Sequence, residues 1–373
     1  MKKFIKNVCL FLSPIILLIC FIIPFYVVME KSGELDDINT CIKWQRNNSD
    51  CLIGLGYNEQ TAYYKLLNTN YNKPEVIALG TSRVMQFRSD YFTTTFYNCG
   101  GAVGGNYDEY LNFLKNLDYT PKCIILGLDA WVFNHEWNYN CRVYDELVPV
   151  TEIPRPKMTL VKAVINDWLD NKWTFSDIDM YPQNIGFNGC IKDQGFMMDG
   201  SYYNGYIYRN PQASSDYMFE DTYKRIETGT ARFEWGSNVD SQTLTKLDAL
   251  LAYCAEKGIY VIGFSPPFAP SVISKMSDSG NYLYLPEIAI KCAPLFKKYG
   301  FEFYDYLDIS GIGASDDNFL DGFHGSCVAY AYIVNDMIKC KSKIVKYVDN
   351  EKLDLLVKNA YNGRTFYDPE DKR

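Results

Sequence analysis

Strand-like runs that alternate with helical periods place this chain in the α/β class, with a doubly wound, mostly parallel sheet. Two further features complete the expected architecture: an N-terminal apolar stretch long enough to span a membrane, and a central insertion without clean periodicity. The clearest strand runs are "EVIALG", "KCIILGLDAW" and "IYVIGFSPPFAP". Short uninterrupted apolar runs of this kind suit strands buried on both faces, and strands alternating with helices imply a parallel sheet covered on both sides.

The N-terminal stretch comes first in the chain. Lys2, Lys3 and Lys6 precede the uncharged segment from Val8 to Met29, "VCLFLSPIILLICFIIPFYVVM". A helix needs about 20 apolar residues to cross the hydrocarbon core. Glu30, Glu34, Asp36 and Asp37 follow, and the lysine asymmetry puts the N-terminus inside and the rest of the chain outside. The apolar core exceeds that of a cleaved signal peptide, and no small-residue cleavage site follows it. The expected location is therefore a single-pass membrane protein with an extracytoplasmic domain.

At 373 residues the chain can form one large α/β domain or two small ones. The expected division is an inner tip and anchor over 1–29, a stalk and entry segment over 30–70, a main domain over 71–345, and a polar tail over 346–373. The net charge of −8, with no basic block beyond the N-terminus, argues against nucleic acid as a partner. The 31 tyrosines and the insertion's tryptophans suit a carbohydrate-facing surface as well as an aromatic core.

None of the cysteines outside the anchor forms a CxxC pair or clusters with histidine, so no metal site and no cofactor is expected. In an oxidising compartment Cys41 with Cys51 and Cys141 with Cys190 are the pairs to test as disulfides. Cys99, Cys123 and Cys254 sit in apolar runs as buried thiols.

Within the main domain, "EVIALG" leads into a short helix at "SRVMQF", and "TTTFYNCGG" is a second strand ending in a glycine-rich turn. "NYDEYLNFLKNL" has apolar residues at helical spacing, and "KCIILGLDAW" is the third strand. The insertion covers about residues 134 to 235. The pattern then resumes with helix "SQTLTKLDALLAYCAEKG", strand "IYVIGFSPPFAP", helix "LPEIAIKCAPLFKKYG", strand "FEFYDYL" and a last helix in "FHGSCVAYAYIVNDMIKC". Ligands of such sheets sit beyond the carboxyl ends of the strands. Gly80-Thr81-Ser82, the turn from Asn98 to Gly105, Asp129 and Ser265-Pro266-Pro267 all lie on that edge.

Ser82 at a strand-to-helix turn is either an N-cap or a nucleophile. The chain holds only two histidines, His135 and His324, and Asp321 lies three residues before the second. An Asp-x-x-His pair in one turn can fix the imidazole tautomer that accepts a serine proton. Ser82, Asp321 and His324 are thus the candidate catalytic residues. Arg83 beside the serine either binds an anionic substrate or pairs with a carboxylate. His135 is either a substrate contact or a surface loop residue. Ser265 reads as a turn serine.

The order of these blocks resembles the SGNH (GDSL-like) hydrolase superfamily. "ALGTSRV" is similar to its first block, "YNCGGAVGG" to its second and "FLDGFHG" to its last. The resemblance covers about residues 74 to 132 and 245 to 340. It implies a flavodoxin-like three-layer fold, Ser82 as nucleophile, and an oxyanion hole built from the N–H groups of Ser82 and of Gly104 or Gly101. The third block usually supplies an asparagine to that hole, where this chain has Asp129; a carboxylate there opposes an oxyanion unless protonated or turned away. Asn98 and Asn106 are candidates for the missing donor or for substrate contact.

With its anchor, "GTSR" and "VIGFSPPF", the chain resembles membrane-attached polymer-acylation proteins such as those of D-alanyl transfer to teichoic acid. That resemblance implies a serine esterase or O-acyltransferase acting on cell-envelope glycan or teichoic acid, with a multi-span membrane acyltransferase as partner. The alternative is a catalytically inactive binding or scaffold protein on the same fold.

Overall fold

In the computed structural model, which describes residues 1–137, 150–153 and 155–369, the chain forms two compact units. One joins residues 1–60 to 152–198, and the other joins 61–151 to 199–369. The expected insertion is therefore not one body. Residues 152–198 belong with the N-terminal segment, and those after 198 with the sheet.

The larger unit is built on a five-stranded, all-parallel sheet. Its strands are β1 (Val76–Gly80), β2 (Phe96–Gly100), β3 (Cys123–Gly127), β4 (Tyr260–Ser265) and β5 (Glu302–Asp305). They lie in the order β2-β1-β3-β4-β5, with Val76 opposite both Phe96 and Cys123, and Cys123 opposite Tyr260. This is the doubly wound order whose switch point falls between β1 and β3. Every residue of β1, β2 and β3 is buried, which accounts for their unbroken apolar runs.

The connections from β2 to β3, β3 to β4 and β4 to β5 all step the same way across the sheet. Right-handed crossovers then put their helices on one face. Those helices are α4 (Tyr107–Lys115), α6 (Ser241–Glu256) and α7 (Leu285–Lys298); α4 touches α6, and α6 touches α7. Caps set their starts. Asn106 accepts the Asp108 N–H at 3.1 Å, and Asp240 accepts those of Gln242 and Thr243. Helix α3 (Thr61–Asn72) packs on β2, and α8 (Cys327–Lys339) on a helix over Asn350–Lys358.

Two expected boundaries are corrected. The "tail" after residue 345 is part of the core, because Leu353 and Phe366 are buried there. The "stalk" holds α3 and, in the smaller unit, α2 (Ile38–Asn47), whose Ile38, Cys41 and Ile42 are buried. Both segments mix polar and apolar residues at helical spacing, and that composition reads as solvent-exposed until the partner surface is known.

The smaller unit has its own core. Phe25, Val28 and Met29, from the last turns of α1 (Lys2–Lys31), pack with Leu160, Val161 and Val164 of α5 (Lys157–Leu169) and with Trp173 and Phe187. The chain's longest apolar helix is thus exposed all round only up to Pro24, apart from a half-buried Ile22, and the last residues of the expected span Val8–Met29 are packed in this core. Glu34, counted above among the flanking acids, is fully buried. Its carboxylate accepts the N–H groups of Gly56, Tyr57, Asn58 and Phe187 at 2.7–3.1 Å. Cys41 and Cys51 are buried thiols rather than a disulfide, as is Cys190; Cys141 lies outside the described residues. Burial pushes the Cys41 thiol up to about 12.

Candidate active site

The turn after β1 is shaped by close approach. Residues Ser82–Val84 form a single 3-10 turn, shorter than the expected helix. Val84 sits against the ends of β1 and β3, where a Cβ on Gly80 would lie 2.9 Å from Val84 Cγ1 and one on Gly127 would lie 2.3 Å from it. Glycine at both strand ends makes room for the turn that carries the serine.

The cap of this turn is Thr81, not Ser82. Thr81 Oγ1 accepts the Arg83 N–H at 3.4 Å and donates to Asp129 Oδ2 at 2.6 Å. Ser82 is left half-buried, with its hydroxyl 2.9 Å from His324 Nε2. On the far side of the ring, His324 Nδ1 lies 2.7 Å from Asp321 Oδ2. The other Asp321 oxygen accepts the N–H groups of Phe323 and His324 at 2.9 and 2.8 Å. Serine, imidazole and carboxylate, 242 residues apart at their extremes, form one hydrogen-bonded line. Burial by itself would raise the Asp321 carboxyl, but the adjacent imidazole and the two backbone donors bring it below the usual carboxylate range.

Arg83 does not face a substrate. Its guanidinium is buried, with Nε donating to Phe323 O at 2.9 Å and one amino group donating to Pro266 O and Pro267 O at 2.7 and 2.5 Å. It stacks on Trp131 and Phe268 at 5.1 and 4.4 Å, and its other amino group lies 3.6 Å from Asp129 Oδ1. One side chain therefore joins the turns after β1, β3 and β4 to the loop that carries His324. The Arg83 carbonyl accepts the Tyr330 hydroxyl from α8.

Asp129 is turned into this pair and onto Thr81. Its burial raises the carboxyl, and Arg83 and Thr81 oppose that rise. Asn98 is also interior. Its amide donates to Val84 O and Phe87 O at 2.8 and 2.9 Å, and its Oδ1 accepts the Gly100 N–H at 2.7 Å, so it braces the turn from beneath. Asn106 caps α4. His135, with 65% of its side chain exposed, lies 3.7 Å from Asp240. Ser265 is buried at the end of β4.

Of the N–H groups that the resemblance implied for an oxyanion hole, that of Ser82 is open and those of Gly101 and Gly104 are engaged. The Gly101 N–H is spent on Gly80 O at 2.9 Å, and the Gly104 N–H on the Glu109 carboxylate at 2.5 Å. Among the described residues the Ser82 N–H has no hydrogen-bond partner, and neither has that of Gly105. Gly105 has φ +113°, and a Cβ there would lie 3.8 Å from Thr81 Cγ2 and 2.9 Å from Val132 Cγ2. It is the glycine of the second turn that abuts the serine's neighbour. The run of glycines in "GGAVGG" signalled the turn, but not which N–H remains open.

Sequence reasoning also missed Asp216. Its carboxylate accepts the Gly322 N–H at 2.9 Å and both the N–H and the hydroxyl of Thr222, bracing the Asp321–His324 loop from a segment without periodicity. A cavity of about 410 Å³ flanks that loop, walled by Tyr217, Tyr223, Phe319, Leu320, Asp317 and Arg364.

The chain matches no family model, no curated protein and no solved structure. The functional reading therefore stands on the site's own chemistry.

Proposed function

We propose that this chain is a membrane-anchored serine esterase or O-acyltransferase of SGNH type, acting outside the cytoplasm on acylated cell-envelope glycan or teichoic acid. The observation that carries the reading is the Ser82–His324–Asp321 line, at 2.9 and 2.7 Å. His324 Nε2 takes the Ser82 proton as Oγ attacks an ester or thioester carbonyl. The N–H groups of Ser82 and Gly105 receive the developing oxyanion, and His324 returns its proton to the departing oxygen or sulfur. An acyl-serine remains. Water or a polymer hydroxyl then gives its proton to His324, attacks the acyl carbon and restores the Ser82 hydroxyl, yielding hydrolysis or transfer.

Asp129 was the best support for an inactive scaffold. The 2.6 Å bond it accepts from Thr81 and the Arg83 guanidinium 3.6 Å away favour the enzyme reading instead, because they hold the carboxylate away from the serine. The apolar helix α1 supports the anchor, being long and apolar enough to cross a membrane. A multi-span partner that delivers acyl groups from the other side fits the transferase form of the reading.

The test is hydrolysis of p-nitrophenyl acetate, with fluorophosphonate labelling, by the full chain in detergent. Wild type should turn over and label, and Ser82→Ala and His324→Ala should each lose roughly 10³-fold or more of the rate with folding intact. A folded wild type that neither labels nor hydrolyses would overturn the nucleophile assignment.

A further inference from the structure

We infer that the smaller unit is seated on the lipid surface through the turn that follows α5, at the headgroup–acyl boundary of the leaflet on the domain's side. This rests on the reading of α1 as a membrane span.

Past Phe25 the apolar side chains of α1 face outward only at Val27, 50% exposed, whereas from Phe4 to Pro24 they do so on every side apart from a half-buried Ile22. At ~1.5 Å per residue that stretch is about 30 Å long, the thickness of the hydrocarbon core. The boundary then falls near Phe21 to Phe25, and a partial collar of rings packs on the Phe21–Phe25 side of the helix at that level. Trp168 meets Phe21 edge-on at 6.5 Å and Phe25 at 5.3 Å. Trp173 and Phe175 meet Phe25 at 6.1 and 5.3 Å, and Trp168 and Phe175 meet each other at 6.2 Å.

A collar in contact with the last membrane-level turns of α1 shares their depth. Its outward surface carries two exposed apolar side chains, Leu169 at 61% and Phe175 at 39%, beside the exposed Asp170, Asn171 and Lys172. The Trp168 indole N–H has no partner among the described residues, whereas that of Trp173 donates to Val164 O at 3.2 Å. A ring with an apolar body and an open donor suits the boundary zone, where tryptophan is enriched. Lys172, paired with Asp167 and Asp170 at 2.7 and 3.5 Å, places charge at the tip. That group holds the turn at headgroup depth instead of letting it enter the core.

The test is tryptophan emission of the full chain in phosphatidylcholine nanodiscs carrying bromines at acyl positions 6,7 or 11,12, with carbonate extraction in parallel. Wild type should be quenched more by the shallower bromines. The quenching should be about twofold weaker in Trp168→Phe and restored in Trp168→Phe/Leu169→Trp, because indoles at this depth face the upper chain. Leu169 is a surface position, so Leu169→Trp alone, which leaves Trp168 in place and should add a shallow-quenched emission, keeps the test valid if Trp168→Phe perturbs packing. A carbonate-resistant chain whose Leu169→Trp emission ignores both bromines overturns the seat and assigns the patch to a protein neighbour. Release by carbonate overturns the span itself, and the seat with it.

Discussion

Removing the Asp321 charge while keeping its shape isolates what that residue does for His324. Asp321→Asn should lower kcat by roughly 10²–10⁴-fold with KM little changed, because an amide favours the wrong imidazole tautomer. Steady-state kinetics check this. Asp321 lies below its ordinary value when folded. Its stabilising contribution is therefore present above about pH 4 and lost as pH falls through the lowered folded value. The Tm gap between wild type and Asp321→Asn should hold from neutral pH to about 4 and close below it. At Arg83 and Asp129 the outcome concerns stability first. Either Arg83→Met or Asp129→Asn strands a buried partner and should cost about 3–5 kcal/mol, and the double variant clearly less than the sum. Urea unfolding of the cycle decides it; strict additivity would mean that the two do not interact. Ser82, His324 and Asp321 were legible as one candidate site because a lone Asp-x-x-His and a strand-ending serine are local signals. Arg83's role was not, since its partners Pro266, Pro267 and Phe323 lie some 180 to 240 residues away and present only carbonyls.

Among elements, the glycine turn after β2 and the helix behind it bear most on the site. Gly105→Ala puts a side chain at φ +113° and against Val132. The expected result is a fall in kcat of roughly 10²-fold, as for loss of one oxyanion donor, with KM nearly unchanged. An equal effect from Gly104→Ala would instead favour that residue as the donor. Behind the turn, Lys65 of α3 is wholly buried, donating to Asn98 O at 3.0 Å and to Gly200 O. Burial lowers its amine to about 7. Between there and its ordinary value of about 10.4 the unfolded chain binds the extra proton, so stability rises with pH across that window. The Tm of wild type relative to Lys65→Met should increase from pH 7 to 9.5. The strands and the longer helices were readable from apolar runs and 3.6-residue spacing. The single 3-10 turn at Ser82–Val84 was not, because its length is set by Val84 meeting Gly80 and Gly127 across two strands.

At the scale of the whole molecule, truncation separates anchor from core. A chain beginning at Pro24 keeps Phe25, Val28 and Met29 in the smaller unit, and one beginning at Lys31 loses them. At about 1.5–3 kcal/mol for each buried side chain, the shorter chain should unfold its 152–198 segment first, seen as faster limited proteolysis there. Equal protection of the two chains would mean that α1 ends outside that core. The sequence by itself determined the alternating α/β order, the apolar N-terminal helix and the residue types of the Ser-His-Asp line, because each is written in a local period or a short motif. The tertiary structure alone decided the division into two units, the burial of Glu34 and Arg83, the contacts of Asp129 with Arg83 and Thr81, and which backbone N–H groups are left open. Those depend on which distant backbone groups meet a side chain, and no period along the chain records a contact between segments far apart in it.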